Sequence, residues 1–226
     1  MPKHLTAKRF ELDLGAENEA EALVGPPGQW RGKRDLQLKF LQQFELAEND
    51  KFLDLGCGSM RAGLPLIEFL NEGHYTGVDI DPDCISTSQK LILDFNLNHK
   101  SPRLLLSRSF GLEEIGELER FDFIWIFQVL IHLAHDHVEC ALRSISTFLT
   151  RQGRAYGSVA LNDNLGTLSL QGKWRHYAYN NAPLSYYKEN ASKVGLKVQE
   201  IGSFDADGWT EESNPVRYGM LNITKK

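Results

Sequence analysis

The sequence predicts an α/β fold, in which a mostly parallel sheet is covered on both faces by helices. Three observations lead there. From Lys51 onward, short apolar runs alternate with longer amphipathic stretches, the pattern left by crossover connections between parallel strands. The first run breaks at Gly56-Cys57-Gly58 and passes directly into a helical pattern, a sharp turn that glycine makes easily. The last two runs have no helical pattern between them, so they form an antiparallel hairpin at one edge.

The elements follow in order. Residues 1–28 show little periodicity and close with Gly25-Pro26-Pro27-Gly28, which breaks any helix; they read as a partly flexible N-terminal arm. Residues 29–226 read as a single domain. Leu36, Phe40 and Phe44 recur every fourth position, which makes Trp30–Leu46 an amphipathic helix. Lys51–Leu55 is a strand, and Met60–Asn71 a helix with Pro65 near its first turn. Tyr75–Ile80 is a strand, and Pro82–Phe95 a helix with Asp81 placed to cap it. Pro102–Leu106, Phe121–Phe127 and Gly153–Leu161 are further strands, with a helix over Asp136–Leu149. Pro183–Val194 is helical, followed by strands Leu196–Ile201 and Val216–Ile223. The longest insertion, at about 162–183, leaves the carboxyl end of the fifth strand and is expected to act as a lid.

Composition narrows the function. With 25 Lys+Arg against 30 Asp+Glu the formal charge is -5, which disfavours a docking surface for duplex nucleic acid. The three cysteines, Cys57, Cys84 and Cys140, fit neither a disulfide framework nor a zinc pattern. No apolar run approaches the ~18 residues of a membrane span, and the polar N-terminus has no secretory apolar core. The expectation is a cytoplasmic chain without membrane attachment; the oligomeric state is open.

In open α/β sheets, ligands bind beyond the carboxyl ends of the strands. The first strand ends in Asp54-Leu55-Gly56-Cys57-Gly58-Ser59, and the second in Val78-Asp79-Ile80-Asp81. The glycines allow close approach of backbone to ligand, and Asp79 falls near the ~20-residue spacing at which an acid meets the ribose hydroxyls of a nucleoside cofactor. A nicotinamide dinucleotide is the rival, but Arg61 stands where its third glycine belongs. Arg61 itself suits a cofactor carboxylate, a substrate anion or a surface salt bridge.

FLDLGCGSMRAG (Phe52–Gly63) followed by HYTGVDID (His74–Asp81) resembles motif I and the acidic second-strand end of class I S-adenosylmethionine-dependent methyltransferases. FDFIWIFQVLIHL (Phe121–Leu133) resembles their fourth-strand motif. The resemblance runs over roughly residues 30–160 and resumes over 184–224. It implies a Rossmann-like three-layer sandwich with a seven-stranded sheet and a reversed final strand, and S-adenosyl-L-methionine as cofactor. By position, Asp54, Gly56 and Gly58 surround the methionine part, Asp79 holds the ribose, and Ile80 lines the adenine. The family's acid after strand three is replaced by Ser109-Phe110, so Ser109 or backbone serves there. Ile126, Phe127 and Gln128 occupy the cofactor-lining turn. The Asn-Pro-Pro-Tyr-type motif is absent, which lowers DNA adenine and protein glutamine as substrates.

Methyl transfer to an O–H or N–H acceptor requires close approach and removal of a proton. His132, just beyond the fourth strand, is the candidate general base; its alternative is a packing role. His132, His135 and His137 with Asp136 suggest a metal, but His132 and His135, three apart on one helical face, lack a clear third ligand, so no metal is expected. In the insertion, Trp174, Tyr177 and Tyr179 suit stacking on a flat small-molecule acceptor, and Arg175 and His176 suit an acidic group on it. The same mixture suits single-stranded RNA. The expected activity is methylation of a small molecule, at oxygen. The alternatives are a non-catalytic cofactor- or partner-binding domain, a nicotinamide oxidoreductase and an RNA methyltransferase.

Overall fold

A computed structural model describes residues 5–25, 27–109, 112–164, 166–171, 176–205, 208–210 and 217–226. The chain divides into two compact units, Met1–Arg108 and Ser109–Lys226.

In the first unit the described N-terminal residues bury Leu5, Ala7, Phe10 and Leu12. Helix α1 (Leu14–Ala22) is capped by Asp13, whose side chain accepts from Ala16 N. Helix α2 (Trp30–Gln43) buries Trp30, Leu36, Phe40 and Leu41. The Pro-Gly stretch breaks the helix as its residues require, but the break is tied down. The Glu21 carboxylate, 2% exposed, accepts from Gly28 N at 2.7 Å and Gln29 N at 2.6 Å, which fixes the chain as it enters α2. Buried Arg34 donates to Phe10 O, and Phe10 packs edge-on against Phe95. A segment with so few periodic residues is held by these specific polar contacts, which periodicity cannot reveal.

Strands β1 (Phe52–Leu55), β2 (Tyr75–Asp79) and β3 (Arg103–Leu106) form a parallel sheet in the order β3-β2-β1. Between them run α3 (Gly63–Phe69) and α4 (Pro82–Asp94). Helix α3 starts three residues later than expected because Met60 has φ 67°, a left-handed value that a right-handed helix cannot contain. Pro65 does lie in its first turn. Asp81 caps α4 by accepting from Asp83 N at 2.9 Å.

The second unit holds β4 (Phe121–Ile126), a short 3-10 turn (Leu130–His132), α5 (His135–Phe148), β5 (Leu149–Leu161), β6 (Gly166–Gln171), β7 (His176–Ala182), α6 (Leu184–Lys193), β8 (Leu196–Asp205), β9 (Gly208–Thr210) and β10 (Arg217–Lys225). Its strands follow the order β4-β5-β10-β8-β9. β4 and β5 are parallel, whereas β10 is antiparallel to both β5 and β8. The reversed final strand is therefore present, inserted between its two neighbours. The seven expected strands all form, giving the mixed α/β architecture. Three more strands exceed the expectation among the described residues: β9 extends the edge, and β6 and β7 make an antiparallel hairpin inside the insertion. The end of β7 continues the sheet by parallel pairing of Asn181 and Ala182 with Ala160 and Leu161. The insertion thus has strand structure of its own.

Candidate active site

The first unit gathers the acids and glycines that the sequence singled out. All of β1 is buried, so Asp54 lies in the sheet with 5% exposure. Its Oδ2 accepts from the Tyr75 hydroxyl at 2.8 Å. Burial pushes the Asp54 carboxyl up to about 7; the Tyr75 hydrogen bond opposes this rise, and the nearby charge of Asp79 adds to it.

After β1 the chain turns over the end of β2. Gly56 N and Cys57 N both donate to Val78 O, at 2.8 and 3.0 Å. Gly56 and Gly58 have φ of 84° and 55°, values that side chains adopt at a cost. Gly58 is required for a second reason: a Cβ there would lie 2.6 Å from Val24 Cγ1. The Asp79 carboxylate fastens the loop. One oxygen accepts from Gly58 N at 2.8 Å and the other from Asp81 N at 3.0 Å, and burial raises its pKa. Each oxygen keeps further acceptor capacity. Ile80, beside it, is 64% exposed, an apolar surface that a flat ring would cover.

Arg61 is turned into the protein rather than out to solvent. It donates to Val24 O at 3.3 Å and lies 5.5 Å from the Trp30 ring centre. Its buried Nε has no hydrogen-bond partner among the described residues. Burial lowers its pKa to about 10, and burial together with the Arg61 charge lowers Lys33 to about 8. With Ser59 Oγ donating to Ala20 O at 2.6 Å, the residues after the glycines anchor the α1–α2 connection.

In the second unit, Phe127 follows β4 and stacks between Trp125 and Phe204. Gln128 has φ 59°, an uncommon conformation for a residue with a side chain. Its N–H donates to buried Ser158 Oγ at 2.6 Å, which holds the turn. His132 is exposed in the 3-10 turn that follows. His135 contacts Asn181 O through Nε2 and packs edge-on against Tyr186, while Asn180 Nδ2 donates to Leu133 O. The β4 turn is therefore braced by β7. Asn180 and Asn181 gave no sequence signal, because their role depends on a strand pairing inside the insertion.

Ser109 is exposed, and its hydroxyl donates to Glu113 at 2.6 Å; that bond lowers the Glu113 pKa. Phe110, Trp174 and Arg175 lie outside the described residues. His176, Tyr177 and Tyr179 fall in β7, for which backbone pairing alone is described. No group of three His, Cys, Asp or Glu suited to a metal occurs among the described residues. No helix among them is long and apolar enough to cross a membrane.

Residues 53–155 match the profile of a methyltransferase domain family. The fold is shared with many solved structures. An S-adenosylmethionine-dependent methyltransferase from Clostridium acetobutylicum has 12% identity and a TM-score of 0.63, with 87% of this chain and 92% of that one covered. Magnesium protoporphyrin IX methyltransferase from Synechocystis, solved with bound S-adenosylmethionine, has 13% identity, a TM-score of 0.62, and coverage of 97% and 89%. The glycopeptide N-methyltransferase MtfA, complexed with S-adenosylhomocysteine, has 10% identity, a TM-score of 0.66, and coverage of 90% and 94%.

Proposed function

From a chain whose residues 53–155 are a methyltransferase domain, on the fold of the class I S-adenosylmethionine-dependent enzymes, we infer transfer of the methyl group of S-adenosylmethionine to a small-molecule acceptor, at oxygen. The observation that carries the cofactor assignment is the Asp79 carboxylate, fixed by Gly58 N and Asp81 N at the end of β2. Its remaining lone pairs suit a pair of vicinal ribose hydroxyls. Asp54 adds a second acid, and two carboxyls suit a ligand with an ammonium group and sugar hydroxyls. A nicotinamide dinucleotide is disfavoured because Arg61 stands where its third glycine belongs.

When bound, the cofactor supplies an electrophilic methyl group on a sulfonium. The chain's own residues divide the remaining work. The Gly56–Gly58 backbone and Asp54 receive the amino-acid part, Asp79 the ribose, and Ile80 the adenine. Ser109, Phe110, Phe127 and Gln128 are the cofactor-binding candidates of the second unit. His132, exposed beyond β4, accepts the acceptor's proton. Trp174, Arg175, His176, Tyr177 and Tyr179 contact the acceptor. The small-molecule reading draws support from two fold neighbours, whose substrates are named as a porphyrin and a glycopeptide.

Calorimetric titration with S-adenosylhomocysteine tests the cofactor assignment. The expected result is saturable binding that Asp79→Ala weakens strongly; no binding, or unchanged affinity in the variant, overturns it. Transfer of labelled methyl from S-adenosylmethionine across hydroxyl- and amine-bearing acceptors then tests the substrate class.

A further inference from the structure

Asp54 is buried in β1, yet no Lys or Arg pairs with it among the described residues, and its hydrogen-bond partner there is a neutral phenol. A carboxyl in that setting lacks the compensation that buried charge demands. The donor is placed with some care. Register pairs Tyr75 with Phe52 and Gly77 with Asp54, so the Tyr75 side chain must reach diagonally along the sheet. Its ring stacks on Phe52 at 6.0 Å. Its hydroxyl occupies space left by Gly63, where a Cβ would come within 2.9 Å of it. The hydroxyl also lies 3.8 Å from the weak acceptor Met60 Sδ. The hydroxyl is thus aimed at Asp54 Oδ2, leaving Oδ1 without a hydrogen-bond partner among the described residues.

We propose that Tyr75 is a positioning residue of the cofactor site: its hydroxyl fixes the Asp54 carboxyl so that Oδ1 receives the charged amino group of S-adenosylmethionine. This rests on the cofactor reading above and extends it to a residue that does not touch the cofactor. The incoming ammonium supplies the missing charge, so binding favours the ionised carboxyl, and affinity falls as Asp54 becomes protonated. Three groups face Asp54 from the surrounding elements: Tyr75 and Asp79 of β2, and Cys57 of the glycine loop. Of these the Tyr75 hydroxyl favours the ionised form through its hydrogen bond, whereas the Asp79 charge opposes it. Removing the hydroxyl therefore moves the Asp54 transition to higher pH.

The test is titration of the full chain with S-adenosylhomocysteine between pH 5.5 and 8. It compares wild type, Tyr75→Phe, Asp54→Asn and the double variant, and uses 5′-methylthioadenosine as a probe that lacks the amino-acid part. In wild type, S-adenosylhomocysteine should weaken as pH falls through about 7, while methylthioadenosine should not. Tyr75→Phe keeps the ring and its stacking. It should move the midpoint up by about one pH unit and lower affinity at pH 7 roughly five- to ten-fold. In the Asp54→Asn background the same change should have little effect. A Tyr75→Phe midpoint within ~0.3 units of wild type overturns the proposal. So does an equal loss of affinity in both backgrounds, or a pH response that methylthioadenosine shares. Wild type that binds neither probe overturns the cofactor reading itself. For a Tyr75→Phe chain that does not fold, the wild-type comparison of the two probes still decides whether the amine meets Asp54.

Discussion

Gly58→Ala probes the turn that joins the glycine loop to the N-terminal segment. Alanine at φ 55° costs about 1–2 kcal/mol through the contact of Cβ with the following carbonyl. A second cost comes from packing. The new Cβ would lie 2.6 Å from Val24 Cγ1, against the ~3.5–4.0 Å at which carbon atoms rest, so one must retreat by about 1 Å. Overpacking of this kind costs ~1–3 kcal/mol; because Val24 is half-buried and the touching atom is a methyl end, the lower half of that range applies. The sum is about 2–4 kcal/mol. Urea denaturation of wild type, Gly58→Ala, Val24→Ala and the double variant separates the two costs. With Val24 truncated, only the backbone cost should remain, giving a coupling of roughly 1–2 kcal/mol between the sites. A Gly58→Ala variant within ~0.5 kcal/mol of wild type refutes the reasoning, as does an equal cost in both backgrounds.

Three further outcomes follow from the site. Asp79→Ala removes a charged acceptor from Gly58 N and Asp81 N and should weaken S-adenosylhomocysteine about 10- to 100-fold by calorimetry. His132→Ala should lower the rate of methyl transfer by ~10²–10⁴ while leaving S-adenosylhomocysteine affinity unchanged; equal rates in both proteins would remove His132 from the chemistry. Asp54→Asn should stabilise the ligand-free protein at alkaline pH. The folded carboxyl titrates at about 7 against an ordinary 3.8, so the native state holds a proton that the unfolded chain has lost. Its contribution is intact below about pH 4 and is lost as pH rises to 7. The variant's advantage in unfolding free energy, read by urea denaturation, should grow across that window to a few kcal/mol at most, then level off. A constant difference from pH 4 to 8 would contradict the assignment.

The legible parts of the molecule were those where neighbours in sequence are also neighbours in the relevant force. Strand–turn–helix at Asp54–Gly58, the capping Asp81 and the placement of Pro65 are all local, and each formed where its residues required. Element starts moved where a local conformation intervened: Met60, left-handed at φ 67°, delays α3. The brace of the β4 turn was not legible, since it depends on Ser158, Asn180 and Asn181, which reach it from β5 and β7. The Ser109–Glu113 hydrogen bond was not legible either, because a bond between two exposed polar side chains leaves no periodic signal.

By itself the sequence determined the alternation of strands and helices, the reversed final strand and the two acids beside a glycine loop. Hydrophobic periodicity and glycine dihedrals are written residue by residue, so they survive without coordinates. Tertiary structure alone decided that residues 5–25 are anchored by buried Glu21 and Arg34. It also decided that Arg61 turns inward against Trp30, and that Asp54 answers to Tyr75. Those outcomes depend on desolvation and on donors brought from distant positions, and the energy of a buried charge is set by what surrounds it rather than by the residues that flank it.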